Sequence, residues 1–179
     1  MRLACLLADG FEDTEALGTS GLLRKAGFMV DFYSVFNKEN VEGSYHTVVT
    51  NLKRINDLRV DDYDGLFIPG GRAAYILREH DFVKKIVFEF YSKNKWMLAI
   101  CAAPTVYGLM GLLDNKKYTS FPGTENDMGK AIRVESKAVS DGKFITGKSA
   151  GSVYEFVFEV IKTISGEEAL KIFKQNLKY

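Results

Sequence analysis

The chain has 179 residues, 46% of them hydrophobic, and its 24 basic and 23 acidic side chains leave a net charge of +1. That length is enough to bury a proper core within one domain spanning 1–179, and the even charge balance gives no reason to expect nucleic acid or another polyanion as a partner. No apolar run is long enough for a membrane span, and a chain with two cysteines has no disulfide framework, so a soluble protein of the reducing cytoplasm is expected.

Met1 leads straight into RLACLLA, which lacks the length and the cleavage pattern of a signal peptide. Leu3 to Ala8 is a continuous apolar run, the pattern of a central strand buried on both faces. Cys5 lies inside it and reads as core. The loop DGFEDTE follows, with Asp13 placed to cap a helix that runs to about Ala26 and stops at Gly27. Phe28 to Val35 predicts a second strand, and Ser44 to Thr50 a strand in a small β excursion in which His46 has no evident partner. Asp64 to Ile68 predicts a third strand, ending in Pro69-Gly70-Gly71, where the backbone must turn or approach something closely.

A short helix from Arg72 to about Glu79 is expected next. A second helix, capped by Asp81, follows with Val83, Ile86, Val87 and Phe90 at helical spacing. Trp96 to Ile100 is again a buried strand, and it hands over at Cys101 to a helix ending near Gly108 to Gly111. Lys117 to Phe121 and Ala131 to Val134 predict short strands. Asp141-Gly142 between two strand-like runs is a hairpin signal. Ala150 to Ile164 predicts a long helix, broken by Gly166 before a last amphipathic one. Strands alternate with helices through the first two thirds, which predicts a mostly parallel sheet covered on both faces. In such sheets sites form at the carboxyl ends of the strands. Topology therefore brings the Asp9–Glu15 loop, the Pro69–Arg72 loop and Cys101 to one edge.

The stretch WMLAICAAPTVY has the make-up of a nucleophile elbow. Small residues, Ala99, Ala102 and Ala103, surround Cys101, as a sharp strand-to-helix turn requires. Pro104 suits an early helical position. Amides at a helix N-terminus would favour the thiolate. The alternative is a small apolar core residue, since free cysteines are often buried. Other chemistries fit less well. DGFEDTE has neither GxGxxG nor a Walker lysine, and its carboxylates would repel a phosphate, so no nucleotide or other cofactor is expected. His46 and His80 lack partners at ligand spacing, so no metal is expected. Hydrolysis of a peptide needs a base beside the thiol, and no histidine follows Cys101. Addition to an aldehyde asks less, because one carboxyl group suffices to move the proton, and Glu15 is the candidate.

The set DGFEDTE, FIPGG, AICAAPTVYG and ITGKSAGSVYEF resembles the ThiJ/PfpI superfamily and, within it, the DJ-one branch. The resemblance implies a flavodoxin-like three-layer α/β sandwich and a homodimer. It implies that Cys101 is the reactive thiol, that Glu15 is the acid bonded to it, and that Gly71 and Ala102 supply backbone N–H groups to an oxyanion or a sulfinate. Gly70, Phe121 and Pro122 would line the site. A Glu15 that donates to a thiolate must hold a proton at neutral pH, so its pKa must be raised by burial. Two departures bear on function. Phe121 stands where branch members often carry a histidine, and Ala102 stands where the proteolytic branch has one, which argues against a peptidase. Lys148, where relatives often have arginine, reads as a surface ion pair. Two functions follow from the resemblance. One is a cofactor-independent enzyme acting on small aldehydes such as methylglyoxal, or on their early adducts on protein, of glyoxalase or deglycase type. The other is a non-catalytic oxidative-stress sensor or chaperone working through oxidation of Cys101. The thiamine-related chemistry in the superfamily's name has no support in the residues.

Overall fold

A computed structural model of the protein describes residues 1–179. A seven-stranded sheet forms its centre. In chain order the strands are β1 (Arg2–Leu7), β2 (Met29–Ser34), β5 (Lys53–Arg54), β6 (Gly65–Ile68), β7 (Trp96–Ile100), β10 (Ala138–Asp141) and β11 (Phe144–Gly147). Two small ribbons lie outside the sheet, β3 (Val41–Glu42) with β4 (Val48–Val49) and β8 (Lys117–Tyr118) with β9 (Ile132–Arg133). The order across the main sheet is β10-β11-β7-β6-β1-β2-β5, and every pairing is parallel except the β10–β11 hairpin. β2, β1, β6, β7 and β11 thus follow the flavodoxin-like order 2-1-3-4-5. The central strands read as unbroken apolar runs because both of their faces are covered.

The helices are α1 (Thr19–Lys25), α2 (Ala73–Leu77), α3 (Asp81–Ser92), α4 (Pro104–Gly108), α5 (Val153–Ser165) and α6 (Glu167–Leu177). From β1 the chain steps one way to β2, and from β6 it steps the other way to β7. Right-handed crossovers then place α1 on one face of the sheet and α3 on the other. α5 joins α1, and α6 packs on α5. One apolar cluster runs through the sheet and both helical layers. No helix is long and apolar enough to cross a membrane.

Several local expectations change. The first helix does not begin with an Asp13 cap. Asp13 is already helical, and its carboxylate instead accepts the N–H groups of Tyr45 (3.0 Å) and Thr47 (3.1 Å), tying the β3–β4 ribbon to the first loop. Glu12 takes over the capping, its Oε2 accepting the Glu15 N–H at 2.6 Å. Residues Thr14–Gly18 form a π-helical turn before α1 starts. Asp81 is the first residue of α3 and makes no capping bond, because His80 occupies the cap position. The Ser44–Thr50 strand shrinks to two residues, since His46 takes φ 67° and turns the chain. Its imidazole pairs with Glu42 at 2.6 Å, in solvent.

Candidate active site

The direction of chain crossover reverses between β1 and β6, so the loops leaving their carboxyl ends splay apart and open a crevice. Both loops are fixed to each other. Phe11 and Gly71 form an antiparallel bridge, Glu12 N–H donates to the Gly70 carbonyl at 3.1 Å, and Ala73 N–H donates to the Gly10 carbonyl at 3.1 Å. Gly71 has φ 82°, and a Cβ there would lie 2.4 Å from the Gly10 carbonyl oxygen, so only glycine allows this contact.

β7 ends against this crevice. Cys101 has φ 66°, a left-handed conformation costly for a residue with a Cβ. Its backbone is held on both sides: its N–H donates to the Gly147 carbonyl on β11 at 2.9 Å, and its carbonyl accepts the Phe121 N–H at 2.8 Å. Ala99 and Ala103 are fully buried and Ala102 nearly so, leaving no room for larger side chains at the turn. The Thr105 hydroxyl closes it by donating to the Ala102 carbonyl at 2.7 Å. Strain held in place this firmly is a mark of a functional position.

Glu15 and Cys101 meet at Gly70. A Cβ built on Gly70 would lie 2.5 Å from Glu15 Oε2, 2.7 Å from Cys101 Cβ and 3.1 Å from its Sγ. The carboxyl group and the sulfur therefore flank one glycine whose missing side chain makes the approach possible. Glu15 is 1% exposed. Its Oε2 accepts the Gly70 N–H at 2.9 Å, while Oε1 has no hydrogen-bond partner. Burial pushes the Glu15 pKa up to about 7, the Cys101 and Gly70 bonds pull it back, and the nearby Glu12 charge adds to the rise. A buried carboxyl with one orphan oxygen is the environment in which a proton is retained near neutrality.

The sulfur departs from the sequence expectation of a thiol favoured as thiolate by a helix N-terminus. Burial pushes the Cys101 thiol up, and the Glu15 carboxylate pushes it further, while the backbone N–H groups of Ala102 and Gly71 pull it down. The reason is geometric. α4 begins three residues after the thiol and is a single short turn of helix, Pro104–Gly108, so little dipole reaches the sulfur. Single amides supply the donors. Two acids in contact cannot both ionise freely, so the pair keeps at least one proton between them at neutral pH.

Of the residues singled out from the sequence, Cys101, Glu15, Gly70, Gly71 and Ala102 come together within this crevice. Phe121 is joined through its backbone and is 47% exposed; Pro122, also exposed, follows it at the rim. Lys148 pairs with Glu135 at 3.3 Å on the surface. Neither histidine touches the thiol: His46 faces Glu42, and His80 packs edge-on to Phe36. Glu12 was missed, although it stands at capping distance before Glu15. The Gly147 carbonyl was missed too, and no sequence signal marks a backbone acceptor on a neighbouring strand.

A model of the DJ-1/PfpI family matches residues 1–163. A deglycase of Pyrococcus abyssi is 28% identical over 166 residues, covering 92% of this chain and 99% of its own. Protein dj-1beta of Drosophila melanogaster is 28% identical over 175 residues, with 96% of this chain and 94% of that protein covered. The structure of oxidized Toxoplasma gondii DJ-1 superposes with a TM-score of 0.91 at 27% identity, over 99% of this chain and 98% of that one.

Proposed function

The chain belongs to the DJ-1/PfpI family, and on that premise we propose that it is a cofactor-independent enzyme acting on small reactive aldehydes or on the early adducts they form with proteins, with Cys101 as its nucleophile. Relatives named as deglycases support this reading. The observation that carries it is the strained Cys101 flanked by one buried carboxyl of pKa about 7 and two inward backbone N–H groups.

With methylglyoxal, the sulfur adds to the aldehyde carbon and the carbonyl oxygen becomes a hydroxyl, the proton coming from the Glu15–Cys101 pair. The N–H groups of Gly71 and Ala102 hold the oxygen while it is negative. Glu15, now ionised, takes the proton from the carbon that bears sulfur and returns it to the neighbouring carbon, while the hydroxyl proton passes from the first oxygen to the former ketone oxygen. That leaves a thioester of lactate, and water cleaves it to lactate and the free thiol. One carbon is oxidised as its neighbour is reduced, so no outside electron donor or acceptor takes part. The purified protein is expected to form lactate from methylglyoxal with no added thiol, and the Cys101→Ser variant is expected to form none. Equal rates in the two would overturn the assignment.

The same donors favour a second reading. Two N–H groups and a protonated carboxyl around a part-exposed sulfur suit a cysteine sulfinate, so peroxide would oxidise Cys101 before any methionine. Intact-mass analysis after mild peroxide tests this, with a gain of two oxygens expected on Cys101. The proposed working unit is one domain that forms a homodimer, which light scattering on the purified protein checks.

A further inference from the structure

The end of the sheet away from Cys101 carries a group of lysines. Lys95 immediately precedes β7 and Lys143 immediately precedes β11. With Lys116 they line a cavity of about 400 Å³ that also takes in Asn94, Tyr91 and Phe144, and no carboxylate lines it. That volume lies within the range of small-molecule sites. Asp64 lines only the adjoining cavity, which shares Lys95 and Lys143 with this one. None of these three lysines forms an ion pair. Lys93, next door, is the contrast: it pairs with Asp61 at 2.8 Å and with Glu89 at 2.7 Å.

The three ammonium groups are positioned all the same. Lys143 Nζ sits 4.0 Å from the centroid of the Trp96 ring, Lys116 Nζ lies 5.8 Å from that of Phe144, and Lys95 Nζ donates to the Tyr63 carbonyl. Aromatic faces and a carbonyl hold the ammonium heads, and no carboxylate pairs with them. Asp141, at the start of the same hairpin turn, is engaged by the Lys117 N–H at 2.9 Å. Three half-buried like charges line one cavity with no carboxylate among its lining residues, so they present a single sign to whatever enters it. That sign favours an anion.

We propose that this cavity is a binding site for a small phosphorylated molecule, separate from the thiol site and lying about 20 Å away along β7, at six residue steps from Lys95 to Cys101. Phosphoryl groups fit because their several oxygens let one ligand accept from more than one lysine at once. The site is independent of the aldehyde chemistry proposed above, and its test does not use turnover.

The probe is inorganic pyrophosphate, titrated into the full-length protein at about 50 mM salt, where screening is weak, with amide chemical shifts and calorimetry as readouts. The expected result is saturable binding with shifts clustered at residues 92–95 and 142–144. Lys116→Gln and Lys143→Gln should each weaken it about tenfold, and Lys130→Gln should leave it unchanged. AMP in a second titration should shift the same amides. Vesicles of phosphatidylserine, which offer the same phosphoryl chemistry on a surface, should not sediment the protein. Absence of shifts at about 10 mM pyrophosphate, wild-type affinity in both Lys116→Gln and Lys143→Gln, or sedimentation with vesicles without pyrophosphate binding would each overturn the site.

Discussion

Cys5 and Cys101 stand on the same sheet and meet opposite fates. Cys5 lies in the middle of β1, in register with Phe32 on one side and Phe67 on the other, and it is fully buried. Cys101 lies one residue past the end of β7, where a left-handed φ lifts its side chain out of the sheet into the crevice. Burial pushes both thiols up. Against burial Cys5 has only the Arg24 charge and the Ser20 hydroxyl, whereas Cys101 has the backbone N–H groups of Ala102 and Gly71 and a carboxyl group, Glu15, beside it. In the function proposed above, reactivity is therefore a property of strand ends. There the ladder stops, and backbone amides become free to face a side chain.

Exchanging each sulfur for oxygen tests that contrast with the largest effect. Cys101→Ser is expected to lower lactate formation by about a thousandfold or more and to abolish labelling by iodoacetamide of the native protein. Cys5→Ser should retain both and instead cost about 1–3 kcal/mol of stability, because a hydroxyl there lies in the apolar core. Chemical denaturation measures the second effect. A Cys5→Ser protein that loses turnover while remaining folded would break the comparison. Gly70→Ala comes next. Its new Cβ would collide with both Glu15 Oε2 and Cys101 Cβ, so the two groups must separate, and turnover should fall about a hundredfold. Thermal unfolding should show a far smaller change than a failed core would give.

Glu15→Gln sharpens the contrast through pH. In the folded protein Glu15 holds its proton to about pH 7, against an ordinary value of 4.5. Between those two values the folded state binds more protons than the unfolded one, so its stability falls as pH rises. The contribution is fully present below pH 4.5 and is lost once pH passes about 7; a shift of that size corresponds to about 3 kcal/mol. Denaturant titrations across this window should show the wild type losing that increment relative to Glu15→Gln. The variant should also alkylate at lower pH, because the carboxylate that raises the thiol is gone, while its turnover drops about 100-fold for want of a proton carrier. Parallel stability curves for the two proteins would remove Glu15 from its role.

Much of this was legible in the chain. Trp96 to Ile100 is a strand with the bounds its apolar run implies, because a doubly buried strand leaves no polar residue to blur them. The hairpin at Asp141-Gly142 likewise follows from local turn chemistry. Cys101 could be found because an elbow demands small neighbours, and those are written in sequence. Asp13 and Asp81 were misread as caps for a common reason. Each is an acid at a helix start, but a long-range partner or a neighbouring residue had taken the position. The direction of the Cys101 shift was illegible, since it depends on a carboxyl group that reaches the sulfur across a glycine from a different loop. Lys95, Lys116 and Lys143 look like ordinary surface lysines until three separate turns place them around one cavity.

Glu12→Gln is the smallest perturbation and the most discriminating one. Glu12 does two things at once: its carboxylate accepts the Glu15 N–H at 2.6 Å, and its charge helps hold the Glu15 proton in place. A glutamine keeps an acceptor at that position and removes the charge. The Glu15 pKa should then move down, so that more of it is ionised near neutrality. Because an ionised Glu15 raises the thiol, the variant should label with iodoacetamide more slowly at pH 7 than the wild type, even though a negative charge has been taken away from the neighbourhood. Direct repulsion between Glu12 and the sulfur predicts the reverse, a faster reaction. Glu12→Ala loses the capping bond as well, at about 1 kcal/mol of stability, and comparing the two variants separates the charge from the hydrogen bond. Faster labelling in Glu12→Gln would mean that Glu15 and Cys101 titrate independently. The crevice would then hold two separate acids, and Cys101 would differ from Cys5 in exposure and backbone strain alone.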